Sequence, residues 1–251
     1  CHGVPSDRIL VEGDALNIDV TAIVQDHYGD TSRMFCVGKT SVKVNNLIDA
    51  TYESMMKAIK ILKPGLKLGN IGYEIQTYVE EKGFSVVKDF CGHGIGKIFH
   101  EPPNILHYGK KGEGIKLETG MIFTVEPMIN AGIYDTKLLN DGWTAVTKDK
   151  SLSAQFEHTV GVTNNGFEIF TSSNKNRPPI MRFQNYPKRA VPGHKFKKIL
   201  TMPWVHWTNF YFRIDLESVT MQIDWVVGGF DIGDCEELHT YIFCFHSKEK
   251  I

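Results

Sequence analysis

Five residues that could do chemistry stand in settings that make them costly. Asp19 lies between Ile18 and Val20, and Asp30 follows Gly29. His93 sits inside Cys91-Gly92-His93-Gly94-Ile95-Gly96. Glu126 interrupts the apolar run Met121 to Ile129, and Glu157 lies within Ala154 to Val162. A carboxylate among apolar neighbours is expensive to bury unless a cation or hydrogen bonds compensate. Four of them could not stay ionised in one cleft without positive charge between them, which two divalent metal ions would supply. Four carboxylates and one imidazole form a mostly oxygen-donor set, suited to Co, Mn, Fe(II) or Zn rather than to a thiolate site. The chemistry such a pair offers is hydrolysis by an activated water. Cys91 is a softer ligand, but glycine follows it and no second cysteine is near.

Each residue also has an ordinary reading. Asp19 fits a strand edge. Asp30 after Gly29 fits a turn. Glu126 before Pro127 could end a strand at an exposed edge, and Glu157 could face solvent by alternation with Phe156 inward. His93 stands out more, because flanking glycines let backbone or ligand approach closely. Order and spacing together favour a joint site.

The elements that must position these residues can be read from periodicity. Residues 9–38 alternate as β structure, with a turn expected at Asp26 to Gly29, which predicts a hairpin. Val44, Leu47, Ile48, Met55, Ile59 and Leu62 recur at helical spacing over 42–62, before Lys63-Pro64-Gly65. A second helix is predicted over 69–82, with Gly83 as its stop. Short strands are predicted over 84–90, 121–130, 143–148, 154–163 and 167–171.

Bulk properties set limits. The chain has 251 residues, 42% hydrophobic, enough for a sizeable core. A formal net charge of -1 supplies no global field for DNA or a membrane surface. No apolar run is long enough for a spanning helix. Five cysteines without regular short spacing do not read as a disulfide framework, so a reducing, cytoplasmic setting is expected. The chain opens on Cys1 in a segment that reads as mid-domain, so a fragment or processed product is expected.

From Cys1 to about Phe170 the chain resembles the type I methionine aminopeptidases. The stretches that carry the resemblance are Cys1-His2-Gly3, Asn17-Ile18-Asp19-Val20, Gly29-Asp30-Thr31-Ser32, Cys91 to Gly96, Phe99-His100-Glu101-Pro102, Thr124-Val125-Glu126-Pro127-Met128, Asp141-Gly142-Trp143 and Ser151 to Thr159. The resemblance implies an α+β pita-bread fold, with two pseudo-symmetric halves of antiparallel strands backed by helices. It implies two divalent ions held by Asp19, Asp30, His93, Glu126 and Glu157, with Asp30 and Glu157 bridging. It implies His2 and His100 beside the substrate peptide, Glu126 as proton shuttle, and Phe99 and Trp143 at the methionine pocket. The implied activity is removal of the initiator methionine from nascent polypeptides. A monomer is expected, with the ribosome as a further partner. Prolidases and aminopeptidases P share the fold and a similar ligand set, but these stretches favour the methionine-specific branch. A non-catalytic binder on the same fold, or a decayed gene product, is the rival reading; such proteins tend to lose ligands, and all five remain.

Two departures carry expectations. The family has a helical layer, a strand and part of the pocket ahead of its Cys-His-Gly segment. Without them the first sheet is expected to keep an open edge, and activity to be weak or absent. Residues 1–175 therefore read as the catalytic domain and 176–251 as an extension of unknown fold, after the boundary Asn174 to Pro179. Between Arg182 and Ile214 the extension carries seven basic and no acidic residues, interleaved with aromatics. That pattern fits RNA contact or, more simply, a solvated appendage or out-of-frame translation.

Overall fold

The computed structural model describes residues 2–4, 8–172, 181–183, 210–215, 220–225 and 235–245. The alternation near the start becomes a hairpin of β1 (Ala15–Val24) and β2 (His27–Val37), with Val24 opposite His27. Its two-residue loop, Gln25-Asp26, has φ of 49° and 59°. Positive φ at both loop residues is the type I′ geometry, whose twist matches that of the strands it joins. The turn therefore closes ahead of the expected Asp26 to Gly29, and Asp30 belongs to the strand rather than the turn.

Two helices back the sheets. In α1 (Val42–Lys60) the Ser41 hydroxyl accepts the Val44 N–H at 3.3 Å, capping the first turn. Its predicted face is buried: Val44, Leu47, Ile48, Met55 and Ile59. In α2 (Gly69–Glu81) the buried face is Ile71, Ile75 and Val79, and Gly83 at φ 80° lets the chain leave the helix. Both helices share one apolar core with Met34, Phe123, Val125, Ile129, Phe156 and Val160. Each such side chain contributes about 1.5–3 kcal/mol on burial.

The second half is a series of short strands: β3 (Ser85–Val86), β4 (Gly92–Gly94), β5 (Glu101–Ile105), β6 (Ile122–Val125), β7 (Met128–Asn130), β8 (Thr136–Leu138), β9 (Ala145–Thr147), β10 (Ser153–Gln155), β11 (His158–Thr163) and β12 (Gly166–Ile169). The predicted strands 121–130 and 154–163 are each broken in two. β6 and β11 pair in a five-stranded sheet of order β12-β11-β6-β4-β5, whereas β7 and β10 pair in a three-stranded sheet of order β10-β7-β3. Both chains thus change sheets at the same level, one at Glu126-Pro127 and the other at Phe156-Glu157. Pro127 has no N–H to lose when the ladder breaks.

Beyond residue 175 lie β13 (Met181–Phe183), β14 (Phe210–Asp215), β15 (Thr220–Trp225) and β16 (Cys235–Phe245). The open edge expected on the first sheet is covered. β16 runs antiparallel along β1, from Ala15 opposite Phe245 to Val24 opposite Cys235, and β13 lies parallel on β2. β14 and β15 form a separate hairpin. Most of the basic stretch 182–213, and the RNA contact expected of it, lies outside the described residues.

The two halves meet at β2 and β11. The Asp30 N–H donates to Thr159 Oγ1 at 3.1 Å, and that hydroxyl donates to the Asp30 carbonyl at 2.7 Å. The Glu157 N–H donates to the Ser32 carbonyl at 3.0 Å, and Asn17 Nδ2 donates to the Gln155 carbonyl at 2.8 Å.

Candidate metal centre

The hairpin register sets the first two candidate ligands. Asp19 pairs with Ser32, and Thr21 with Asp30, so Asp19 and Asp30 are diagonal neighbours on one face. Thr21 Oγ1 donates to Asp30 Oδ1 at 2.8 Å and fixes that carboxyl group. Glu126 and Glu157 arrive from the second half at the corners where their chains change sheets. His93 arrives on β4, which is squeezed between two neighbours. A Cβ on Gly92 would lie 2.4 Å from the Thr124 carbonyl oxygen, and one on Gly94 2.4 Å from that of Pro102. The glycines flanking His93 are therefore required by the close approach of β6 and β5.

The five residues converge. Ligand atoms of Asp30, His93 and Glu157 all lie within 4.8 Å of one another. Glu126 Oε1 is 3.5 Å from His93 Nε2. Asp30 and Glu126 lie close enough to Asp19 to push its carboxyl further toward the neutral form, whereas its contact with Glu157 works in the other direction. Burial is the first cause of the shifts throughout the cluster. It raises Glu157 and Asp19 well above the usual carboxylate range, lifts Asp30 to about 6 and lifts Glu126 to about 8. Burial also lowers His93 to about 4. Glu126 and His93 thus meet near neutral pH as two neutral groups, not as an ion pair.

The donor set fits divalent cations. Asp19 Oδ1 and both side-chain oxygens of Glu157 are buried and receive no hydrogen bond among the described residues. Acceptor oxygens left this way are costly unless a cation takes the place of a donor. His93 is oriented for the same purpose. Its Nδ1 lies 3.0 Å from the Gly94 carbonyl, which can only accept, so Nδ1 carries the proton and Nε2 keeps its lone pair facing Glu126 and the cluster. Cys91, by contrast, is pushed toward the thiol by burial and by Glu126, which does not suit a ligand here.

Around the cluster lie the other predicted residues. His100 has its ring centroid 4.3 Å from that of His93 and 3.9 Å from that of Phe99, and Phe99 is 5.7 Å from His93. His2 packs edge-on to Phe90 at 4.5 Å and beside Trp143 at 5.2 Å. Burial lowers His2 to about 4, with smaller contributions from the charge of the chain's terminal amine and then from His100, so the two imidazoles feel each other across the site. Trp143 is 41% exposed, and its indole N–H donates to the Gly3 carbonyl at 3.3 Å. The structure thus brings all nine predicted site residues to one region.

Supporting residues escape sequence reasoning. Thr124 Oγ1 donates to Glu126 Oε1 at 2.7 Å, and Gln155 Nε2 reaches Glu126 Oε2 at 3.4 Å. The Glu126 N–H donates to Nε2 of the fully buried His107 at 3.1 Å. Alternation could have found Thr21 and Thr124, each two positions from a candidate ligand on the same strand face. Nothing local marks His107, in Ile-Leu-His-Tyr.

Residues 1–164 match metallopeptidase family M24. The methionine aminopeptidase of Rickettsia prowazekii (strain Madrid E) is 60% identical over 176 residues, covering 70% of this chain and 68% of that one. The crystal structure of the Rickettsia prowazekii enzyme superposes with a TM-score of 0.68, covering 68% of this chain and 70% of that one. The Thermotoga maritima methionine aminopeptidase, at 43% identity and TM-score 0.67, covers 68% of this chain and 70% of that one. The prolidase of Pyrococcus horikoshii OT3 is more distant, at 26% identity and TM-score 0.53, covering 70% of this chain and 45% of that one. These likenesses bear out the α+β pita-bread architecture. The chain spans about two thirds of the length of the curated relatives it matches.

Proposed function

The chain belongs to metallopeptidase family M24, and from that premise we propose that it hydrolyses the first peptide bond of polypeptides that begin with methionine, releasing that residue. Asp19, Asp30, His93, Glu126 and Glu157 would hold two divalent ions. When bound, the ions supply Lewis acidity, polarising the scissile carbonyl and bringing a water's proton loss near neutral pH.

The chain's own groups do the rest. Glu126, ionised once cations neutralise the cluster and held by Thr124, Gln155 and the His107-anchored backbone, takes a proton from the attacking water and passes it to the departing amine. His100, at the mouth beside His93, donates to the substrate carbonyl oxygen as it gains charge. His2 stays neutral at working pH and offers one N–H to the substrate amide. Phe99 and Trp143 give the first side chain apolar walls. A ring of carboxyl groups favours a free α-amino group over a blocked end, which restricts cleavage to the terminus.

The observation that carries this reading is the convergence of Asp30, His93 and Glu157 within 4.8 Å, with buried carboxylate oxygens awaiting a cation. Retention of the complete ligand set favours an enzyme over a non-catalytic binder of the same fold. The test is Asp30→Asn, assayed for bound metal by elemental analysis and for methionine release from Met-Ala-Ser. Both should be lost; turnover at the unaltered rate would defeat the reading.

The proposal extends to residues 1–175 as the catalytic unit, acting as a monomer in the cytoplasm on nascent N-termini near the ribosome. The thiol of Cys91 supports a reducing compartment. No helix among the described residues is long and apolar enough to cross a membrane. Sedimentation of the protein with purified ribosomes, at increasing salt, tests the partner.

A further inference from the structure

One aromatic contact ties the first half of the fold to the mouth of the site, and no step above uses it. Tyr28 stands two positions before Asp30 on β2, so alternation puts both side chains on the same face of the hairpin. Its ring stacks on Phe99, with centroids 5.2 Å apart and planes 15° from parallel. Its backbone N–H donates to the Gly96 carbonyl at 2.8 Å, which fixes the hairpin tip against the loop that carries Phe99. Phe99 in turn packs on His100 at 3.9 Å and on His93 at 5.7 Å. The order Tyr28, Phe99, His100 therefore runs from an element of the first half to the substrate-facing residues of the second. Around Phe99 the loop is open to solvent: Lys97, Ile98 and His100 are exposed, and Ile98 is 59% so.

We propose that Tyr28 is a positioning residue that holds the Phe99 ring in place and so sets selectivity for the first side chain of the substrate. This rests on the reading that Phe99 lines the pocket for that side chain. A wall discriminates between unbranched and branched side chains only if it cannot swing away. Phe99 is half-buried, and the Tyr28 ring stacked on it opposes its rotation. Offset-stacked pairs have enough preference over other arrangements to bias such a ring strongly toward one orientation. The phenol hydroxyl has no part in this, so phenylalanine should serve equally well.

The test uses the full chain with metal bound and three variants, Tyr28→Ala, Tyr28→Leu and Tyr28→Phe. Tyr28→Leu keeps apolar volume without a flat ring and guards against a folding defect in Tyr28→Ala. Steady-state rates on Met-Ala-Ser and Leu-Ala-Ser give selectivity as the ratio of kcat/KM values. Tyr28→Ala and Tyr28→Leu should raise KM for Met-Ala-Ser by roughly three- to tenfold, the scale expected from one lost aromatic pair, with kcat changed far less. The preference for Met over Leu should fall by a similar factor, and Tyr28→Phe should match the unaltered protein. Unchanged selectivity in both Tyr28→Ala and Tyr28→Leu would overturn the proposal, as would loss of bound metal in Tyr28→Leu.

A second readout does not need turnover. In protein labelled with ¹³C on phenylalanine rings, the Phe99 resonance, identified by its loss in Phe99→Leu, should move in Tyr28→Ala and stay in Tyr28→Phe. An unmoved resonance overturns the role of Tyr28 whatever the rates. An unaltered protein that cleaves neither peptide, yet whose Phe99 resonance moves in Tyr28→Ala, supports the positioning and overturns the aminopeptidase reading on which selectivity depends.

Discussion

At the scale of single residues, the cluster is a store of uncompensated charge that protons or metal ions can relieve. Without metal, protons do so, and this has a definite pH signature. Burial lifts Asp30 from 3.8 to about 6 and Glu126 from 4.5 to about 8. Between the ordinary and the raised values the folded protein holds more protons than the unfolded chain, so stability falls as pH rises. Buried imidazoles act in the other direction. His93 is lowered from 6.5 to about 4, and His107 and His158 from 6.5 to about 3, so they cost stability as pH falls below 6.5. Above that point only the carboxyl groups contribute. The Tm of EDTA-treated protein should therefore drop between about pH 6.5 and 8.5, and saturating Mn should abolish the drop, because cations replace the protons. A Tm that climbs over this range in EDTA would contradict the burial assigned to Glu126. Removing a single donor to the developing oxyanion typically costs about 10²–10³ in kcat. His100→Ala should show a loss of that size on Met-Ala-Ser while still binding metal by elemental analysis.

At the scale of elements, backbone packing holds the ligands in place. β4 can carry His93 only because no Cβ stands at Gly92 or Gly94. Gly94→Ala would drive a methyl group to 2.4 Å from the Pro102 carbonyl oxygen and push β4 off β5. Overpacking of this kind costs about 1–3 kcal/mol, so thermal unfolding should show a clear fall in Tm, accompanied by weaker metal binding. The hairpin offers the opposite experiment. Gln25 and Asp26 both hold positive φ, which costs non-glycine residues roughly 1 kcal/mol or more each. Replacing the pair by Asn-Gly, the preferred type I′ sequence, should raise stability by about 1 kcal/mol without moving Asp30. Chemical denaturation would read the gain, and unchanged metal content would establish that the register is kept.

At the scale of the whole molecule, the two halves depend on each other through the site. Asp19 and Asp30 come from one sheet, His93 from another, and Glu126 and Glu157 from the corners where their chains change sheets, the Glu157 N–H reaching Ser32. Ions bound there cross-link the halves and bind only the folded chain. Metal at 100 times its Kd should add about 2.7 kcal/mol, read as a rise in Tm that chelation reverses. A Tm indifferent to Mn, Co and EDTA would mean that the centre does not take up metal. The edge of the first sheet matters at this scale too, since an unpaired strand invites association with other chains. Here β16 covers β1 along its whole length.

The chain by itself singled out the type of chemistry and five candidate carriers, since each carboxylate has an ordinary reading alone but their order and spacing, with an imidazole among glycines, point to a joint site. It also determined both helices, because burial on a helix repeats every three to four residues whatever lies opposite. Tertiary structure decided what depends on partners distant in sequence. The breaks at Glu126 and Phe156 exist because two chains change sheets together, and periodicity within either chain cannot express that. Asp30 reads as a turn residue by its local pattern and becomes a strand residue because the hairpin closes at Gln25-Asp26. The cover on β1 comes from residues far along the chain. His107 and Tyr28 matter through contacts with Glu126 and Phe99 that no spacing in the sequence encodes.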